Sequence, residues 1–179
     1  MVIDTIILVP FLLKEPKLFA YLQKELFTIF KIPVIVDSPI ALPKGGYSPK
    51  RNQYDGNYFI KELSKNKKYK ESHLILGICD VDLYVENLNF IFGLASPLAK
   101  IAVISLTRLK EEFYNRPKNE PLFFLRTLKE GVHEIGHLFY LEHCKNPKCV
   151  MFFSNSLADT DRKGPNFCEI CLKKLKGKQ

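Results

Sequence analysis

The chain holds four histidines and five cysteines, and all but His73 and Cys79 fall between His133 and Cys171. Inside that stretch, His133-Glu134-Ile135-Gly136-His137 sets two imidazoles four residues apart. Residues at that spacing lie one above the other on a single face of an α-helix. Two imidazoles so placed can share one zinc at about 2.0–2.1 Å each. Glu134, next to the first, is in reach of a water held against that metal. A metal that acidifies water and a carboxylate that takes its proton are the parts of a hydrolytic zinc site. The plainer reading is a helix with two incidental histidines.

Two imidazoles leave zinc short of a third protein ligand, and His143 follows His137 by six residues. On an unbroken helix it would sit about 9 Å further along the axis, out of reach of the same metal. For His143 to join, the helix must end between the two and the chain must turn back. Otherwise His143 is an exposed imidazole beside Glu142.

Cys144, Cys149, Cys168 and Cys171 form a second constellation: C-x4-C, eighteen residues, then C-x2-C. Two short-spaced cysteine pairs point to a structural zinc, closed by four thiolates and with no position left for water. Disulfides or free thiols are the alternatives. The apolar stretch from Ile6 to Leu13 contains Pro10, follows Asp4 and is far shorter than a membrane span. No targeting signal is recognisable, so a cytoplasmic location and no membrane span are expected. In a reducing compartment, clustered cysteines read as metal ligands. Cys79 lies in an apolar run and is expected to be a small buried hydrophobe. The two constellations abut at His143-Cys144, so a zinc at Cys144 would hold the backbone that presents His143.

Around these residues, strand and helix signals alternate. Thr5–Val9 reads as a buried strand stopped by Pro10, Glu15–Phe30 as a helix and Val34–Val36 as a second strand. A turn-rich loop from Asp37 to Pro49 precedes a helix over Tyr54–Ser64. Leu74–Cys79, Leu88–Phe92 (closed by Gly93) and Ile101–Leu106 read as further strands. Leu122–Phe139 has helical spacing, no proline, and is the longest helix expected. This order predicts an α/β or α+β layer with a mixed sheet. With 179 residues, 46% of them hydrophobic and 26% charged, the chain fits one globular domain. That excludes a disordered, collagen-like or coiled-coil protein. The net charge of +8 is spread thinly, with runs at Lys65–Lys70 and Lys173–Lys178. Few aromatics interleave with it, so it reads as a solvated surface before a nucleic-acid patch.

The run His-Glu-Ile-Gly-His-Leu-Phe-Tyr-Leu-Glu-His-Cys, then Cys149-Val150-Met151 and Cys168-Glu169-Ile170-Cys171, resembles the archaemetzincins. These are metzincin-clan zinc metallopeptidases with HExxHxxGxxH followed by Cys, then CxM and CxxC. Similar segments recur at Tyr47–Tyr54, Cys79–Tyr84, Asn89–Gly93, Val103–Ser105 and Asn155–Phe167, so the likeness covers nearly the whole chain. The resemblance implies a compact single domain over 1–179, with an active-site helix at about 122–139 and a four-cysteine zinc segment at 144–171. It implies two zinc ions. One is catalytic, on His133, His137 and His143; the other is structural, on Cys144, Cys149, Cys168 and Cys171. Glu134 would be the general base, Met151 would lie in a turn beneath the metal, and Leu88–Phe92 would be the antiparallel edge strand that pairs with an extended substrate.

Two features depart from the pattern: sixteen residues separate Met151 from Cys168, one fewer than the family implies, which a loop can absorb, and Tyr140 stands where the family has glycine. The turn is then strained at Tyr140, built differently, or leaves His143 displaced. The implied activity is hydrolysis of peptides or proteins by a monomer. The alternative, raised by the basic charge and Tyr140, is a weakly active or inactive zinc-stapled module that binds protein or nucleic acid.

Overall fold

The computed structural model describes residues 2–178. A five-stranded sheet is built from β1 (Thr5–Phe11), β2 (Val34–Val36), β5 (His73–Cys79), β7 (Gly93–Ser96) and β8 (Ile101–Ser105). Its order is β2-β1-β5-β8-β7, parallel except for β7, which runs antiparallel at one edge. A small second sheet joins β3 (Tyr47–Ser48), β4 (Gln53–Asp55) and β6 (Leu83–Tyr84). The mixed α/β architecture expected from the sequence is the one observed.

Alternation along the central strands builds two cores. Ile6, Leu8, Leu74, Leu76, Ile78, Ala102 and Ile104 face α1 (Pro16–Phe30) and α3 (Glu120–Leu138). Ile7, Val9, Phe11, Ile75, Cys79 and Val103 face α2 (Gly56–Ser64) through its Phe59 and Leu63. Parallel strands covered on both faces need this near-continuous apolar composition. Cys79 is fully buried, and burial pushes its thiol up to about 12, consistent with a small hydrophobe.

Several boundaries differ from the sequence reading. β1 continues through Pro10 to Phe11. The Ile6 N–H and the Leu8 and Pro10 carbonyls all point to the β2 side, so the missing Pro10 N–H falls there too, beyond the end of β2. Proline is tolerated where no ladder partner is waiting. Tyr54 and Asp55 belong to β4, and the Asp55 side chain caps α2 by accepting from the Asn57 N–H at 2.9 Å. At the start of α3, Asn119 accepts from the Leu122 N–H at 3.1 Å, which brings Pro121 into the first turn, where proline costs nothing.

The largest correction concerns Leu88–Phe92, which is not a strand. Leu88 lies in a turn closed on Val85, and Ile91 makes a single bridge to Leu83. The backbone there is tied down by side chains: Arg51 Nη2 donates to the Leu88 and Asn89 carbonyls at 2.8 and 2.9 Å, and Gln53 Nε2 to Asn89 at 2.9 Å. The antiparallel edge strand is instead Gly93–Ser96, a Gly-Leu-Ala-Ser run of weak strand character fixed by pairing with β8.

Past α3 the chain forms a coiled segment with two further short helices, α4 (Leu157–Arg162) and α5 (Glu169–Lys176). Arg126 of α3 is 1% exposed and ties this segment down. Its guanidinium makes a two-pronged pair with Asp161 at 2.7 Å and a third contact with Glu111 at 2.6 Å. Among the described residues, no helix is long and apolar enough to cross a membrane.

Candidate metal centre and active site

His133 and His137 project from the last turns of α3, which is buried nearly all round at this point. The Nδ1 of His133 donates to the Val150 carbonyl at 2.8 Å, and the Nδ1 of His137 donates to the Leu141 carbonyl at 2.7 Å. A carbonyl only accepts, so these contacts place each ring's proton on Nδ1. Both Nε2 atoms therefore carry lone pairs, yet they converge to 3.1 Å. Two nitrogens about 2.05 Å from a tetrahedral zinc are about 3.3 Å apart. The convergence is repulsive by itself and becomes favourable with a cation between the rings.

His143 completes the set. α3 stops at Leu138, and Tyr140 takes a left-handed conformation at φ 58. The Tyr140 N–H reaches the His137 carbonyl at 2.8 Å and the Leu141 N–H reaches Gly136 at 3.1 Å. That bonding pattern is the Schellman helix stop, whose left-handed residue is normally glycine. The reversal brings the His143 ring to 4.8 Å from His137 and 5.3 Å from His133, between centroids. Ligand nitrogens of all three lie within 4.8 Å of one another, His133 being buried and His143 exposed. Of the three possible turns, the structure adopts the strained one. A tyrosine in this conformation costs about 1–2 kcal/mol. Replacing Tyr140 by glycine is expected to stabilise the fold by about 0.5–1 kcal/mol, the strain relieved less the added chain entropy. A rise in the urea midpoint at unchanged slope would register it.

Burial holds all three imidazoles below their ordinary range, His133 well below, so they are neutral donors of a lone pair at pH 7. The Glu134 carboxyl is pushed up to about 8, first by burial and then by neighbouring Glu130, against the pull of Lys163. A divalent cation among the imidazoles acts the other way and favours the carboxylate.

The four cysteines gather in the same way, with all sulfurs within 4.8 Å of one another. Cys144 and Cys168 Sγ are 3.8 Å apart, which matches the edge of about 3.8 Å for thiolates 2.3 Å from a tetrahedral zinc. Backbone N–H groups of Asn146 and Cys168 point at the sulfurs of Cys144 and Cys149, at 3.4 and 3.3 Å. The Cys171 N–H leads in holding the Cys168 thiol down to about 7, while burial pushes Cys149 and Cys171 up. Among the described residues these four thiols are free, without disulfides.

The two clusters share one backbone. Cys144 N–H bonds to Met151 O at 2.9 Å, and Val150, whose carbonyl orients His133, is the next residue after Cys149. Met151 is fully buried beneath α3, where its sulfur would stand 2.5 Å from a Cβ on Gly136. Only glycine at position 136 admits this close approach.

The sequence pattern of peptidase family M54 matches residues 28–177. An archaemetzincin from Pyrococcus furiosus is 41% identical over 177 residues, covering 96% of this chain and 92% of that protein. This chain belongs to the archaemetzincins, peptidase family M54. Solved structures agree. The archaemetzincin of Methanopyrus kandleri superposes with a TM-score of 0.86 at 33% identity, over 98% of this chain and 94% of that one. A zinc-dependent peptidase from Methanocorpusculum labreanum gives the same TM-score of 0.86 at 32% identity, over 95% and 99%. Membership makes the chain a zinc metallopeptidase, with peptides as its substrate class.

Three residues beside the archaemetzincin motif, to which the sequence assigned no site role, stand at the centre. Gly93, the first residue of β7, lies so close to Glu134 that a Cβ there would meet its Cγ and Oε1 at 2.6 Å. Glu130 and Lys163 form a buried pair at 3.1 Å behind the site. Glu130 is one helical turn before Glu134, a spacing that could have flagged it. Nothing in the sequence pairs it with Lys163.

Proposed function

We infer that this chain cuts peptide bonds at the three-histidine centre, with zinc held by His133, His137 and His143 and with Glu134 as general base. The observation that carries the reading is the convergence of two neutral Nε2 lone pairs at 3.1 Å beside the buried Glu134 carboxyl. Zinc bound there supplies Lewis-acid polarisation of the scissile carbonyl and makes an attacking water more acidic. Val150 and Leu141 fix the tautomers and ring planes of His133 and His137, as orienting carbonyls do in metal sites. Glu134 takes the proton from the water and hands it to the departing amine, so that one carboxylate serves both steps. The β7 edge, in contact with Glu134 through Gly93, is placed to pair with an extended substrate. Cys144, Cys149, Cys168 and Cys171 hold a second zinc with no open position, which braces Val150, Met151 and His143.

Elemental analysis of protein purified without added metal tests this assignment. Two zinc ions per chain are expected, one removed by a mild chelator together with peptide hydrolysis, the other retained. His137→Ala is expected to hold a single zinc and to hydrolyse nothing. Full hydrolysis by that variant would overturn the site.

A further inference from the structure

A cavity of about 80 Å³ opens directly beside the reacting groups. It is lined by His133 and Glu134, by the Phe90–Gly93 segment, and by the polar residues Glu130, Ser154 and the exposed Asn155. A substrate side chain entering it flanks the bond being cut. We propose that this cavity selects an uncharged side chain that both donates and accepts hydrogen bonds, a carboxamide being the best match. The inference deepens the peptidase reading and rests on it.

The chemistry of the polar groups carries the choice. Glu130 is 2% exposed; its Oε1 accepts from Thr160 Oγ1 at 3.0 Å and stands 3.1 Å from Lys163 Nζ in an ion pair without hydrogen-bond geometry. Lys163 itself is 1% exposed, so the carboxylate and the ammonium offset each other inside the protein. A substrate cation would add a second positive charge close to Lys163, and a substrate anion would face both Glu130 and Glu134. Neither long-range charge has an unmatched partner here. Ser154 Oγ is buried with no hydrogen-bond partner; Lys163 Nζ also lacks one, but its charge is met by the ion pair with Glu130. A purely apolar side chain would seal that hydroxyl away without a hydrogen bond and leave the Glu130 carboxylate with no partner beyond Thr160 and Lys163, a loss that cavities built for polar groups do not tolerate. A carboxamide answers both: its N–H₂ donates to Glu130 and its oxygen accepts from the Ser154 hydroxyl. The aromatic wall of Phe90 and Phe92, whose rings stand edge to face at 5.2 Å, covers the aliphatic stem.

The zinc-loaded protein would be titrated with short peptide hydroxamates that differ only in the side chain beside the zinc-binding group: asparagine, leucine, phenylalanine, arginine and aspartate. The asparagine ligand is expected to bind at least about tenfold more tightly than the leucine ligand. Ser154→Ala, a change that leaves the buried ion pair intact, is expected to shrink that gap to less than about threefold. Tighter binding of leucine or phenylalanine overturns the inference while leaving the peptidase reading in place, and so does a gap unchanged in Ser154→Ala. If no hydroxamate binds, the peptidase site itself is wrong and the inference falls with it.

Discussion

Cys171→Ser is expected to strip the structural zinc and, with it, most of the order in the segment after α3. Four thiolates around zinc contribute folding free energy outright, of the order of 10–16 kcal/mol in isolated zinc-binding peptides. Whole domains are stable by only about 5–15 kcal/mol. Loss of even several kcal/mol lowers the thermal midpoint of a chain this size by roughly 10 °C or more. Cys171 is 6% exposed and packs in the main core, so serine also leaves a buried hydroxyl where a thiolate stood. The damage spreads to the histidine site through the backbone. Cys144 is bonded to Met151, Val150 orients His133, and His143 precedes Cys144. Zinc content is therefore expected to fall from two to below one per chain, because the catalytic ion loses its frame. A Cys171→Ser protein with an unchanged midpoint and two zinc ions would remove the structural role from this cluster.

Much of this site was legible in the sequence because its determinants are local. The spacing of His133 and His137 and the paired cysteines are short-range patterns that geometry converts into clusters almost unaided. The six-residue gap to His143 already required a chain reversal, and Tyr140 was the place to look for it. The sequence left the form of the turn open; the Schellman bonds and the φ of 58 supply it. What the sequence hid depends on partners distant along the chain. Leu88–Phe92 has strand composition, yet Arg51 and Gln53 bind its carbonyls from the small sheet and hold it as a turn. Gly-Leu-Ala-Ser has little strand character, yet β8 recruits it as the edge. Lys129, Glu130 and Arg126 look like one polar face of α3, but each is at most 4% exposed because α4 and its flanks bring their partners.

Glu134→Gln is expected to lower kcat for peptide hydrolysis by about 10²–10⁴-fold, the usual worth of a positioned general base, with both zinc ions retained. Glutamine has nearly the same shape, so packing against β7 survives while proton acceptance is lost. A companion substitution tests why the base is so tightly placed. Any side chain at Gly93 would stand 2.6–2.7 Å from Glu134 Cγ, Oε1 and Cδ, closer than real atoms approach. Gly93→Ala must therefore displace the carboxylate or push the β7 edge away. A misplacement of about 1 Å at a reacting group costs on the order of 10²-fold, so Gly93→Ala is expected to lose at least that. If the loss acts through Glu134, the two changes are not additive: Gly93→Ala in the Glu134→Gln background should lower the residual rate by less than about threefold. A full 10²-fold loss in both backgrounds would show that Gly93 serves the strand edge that receives the substrate, and not the placement of the base.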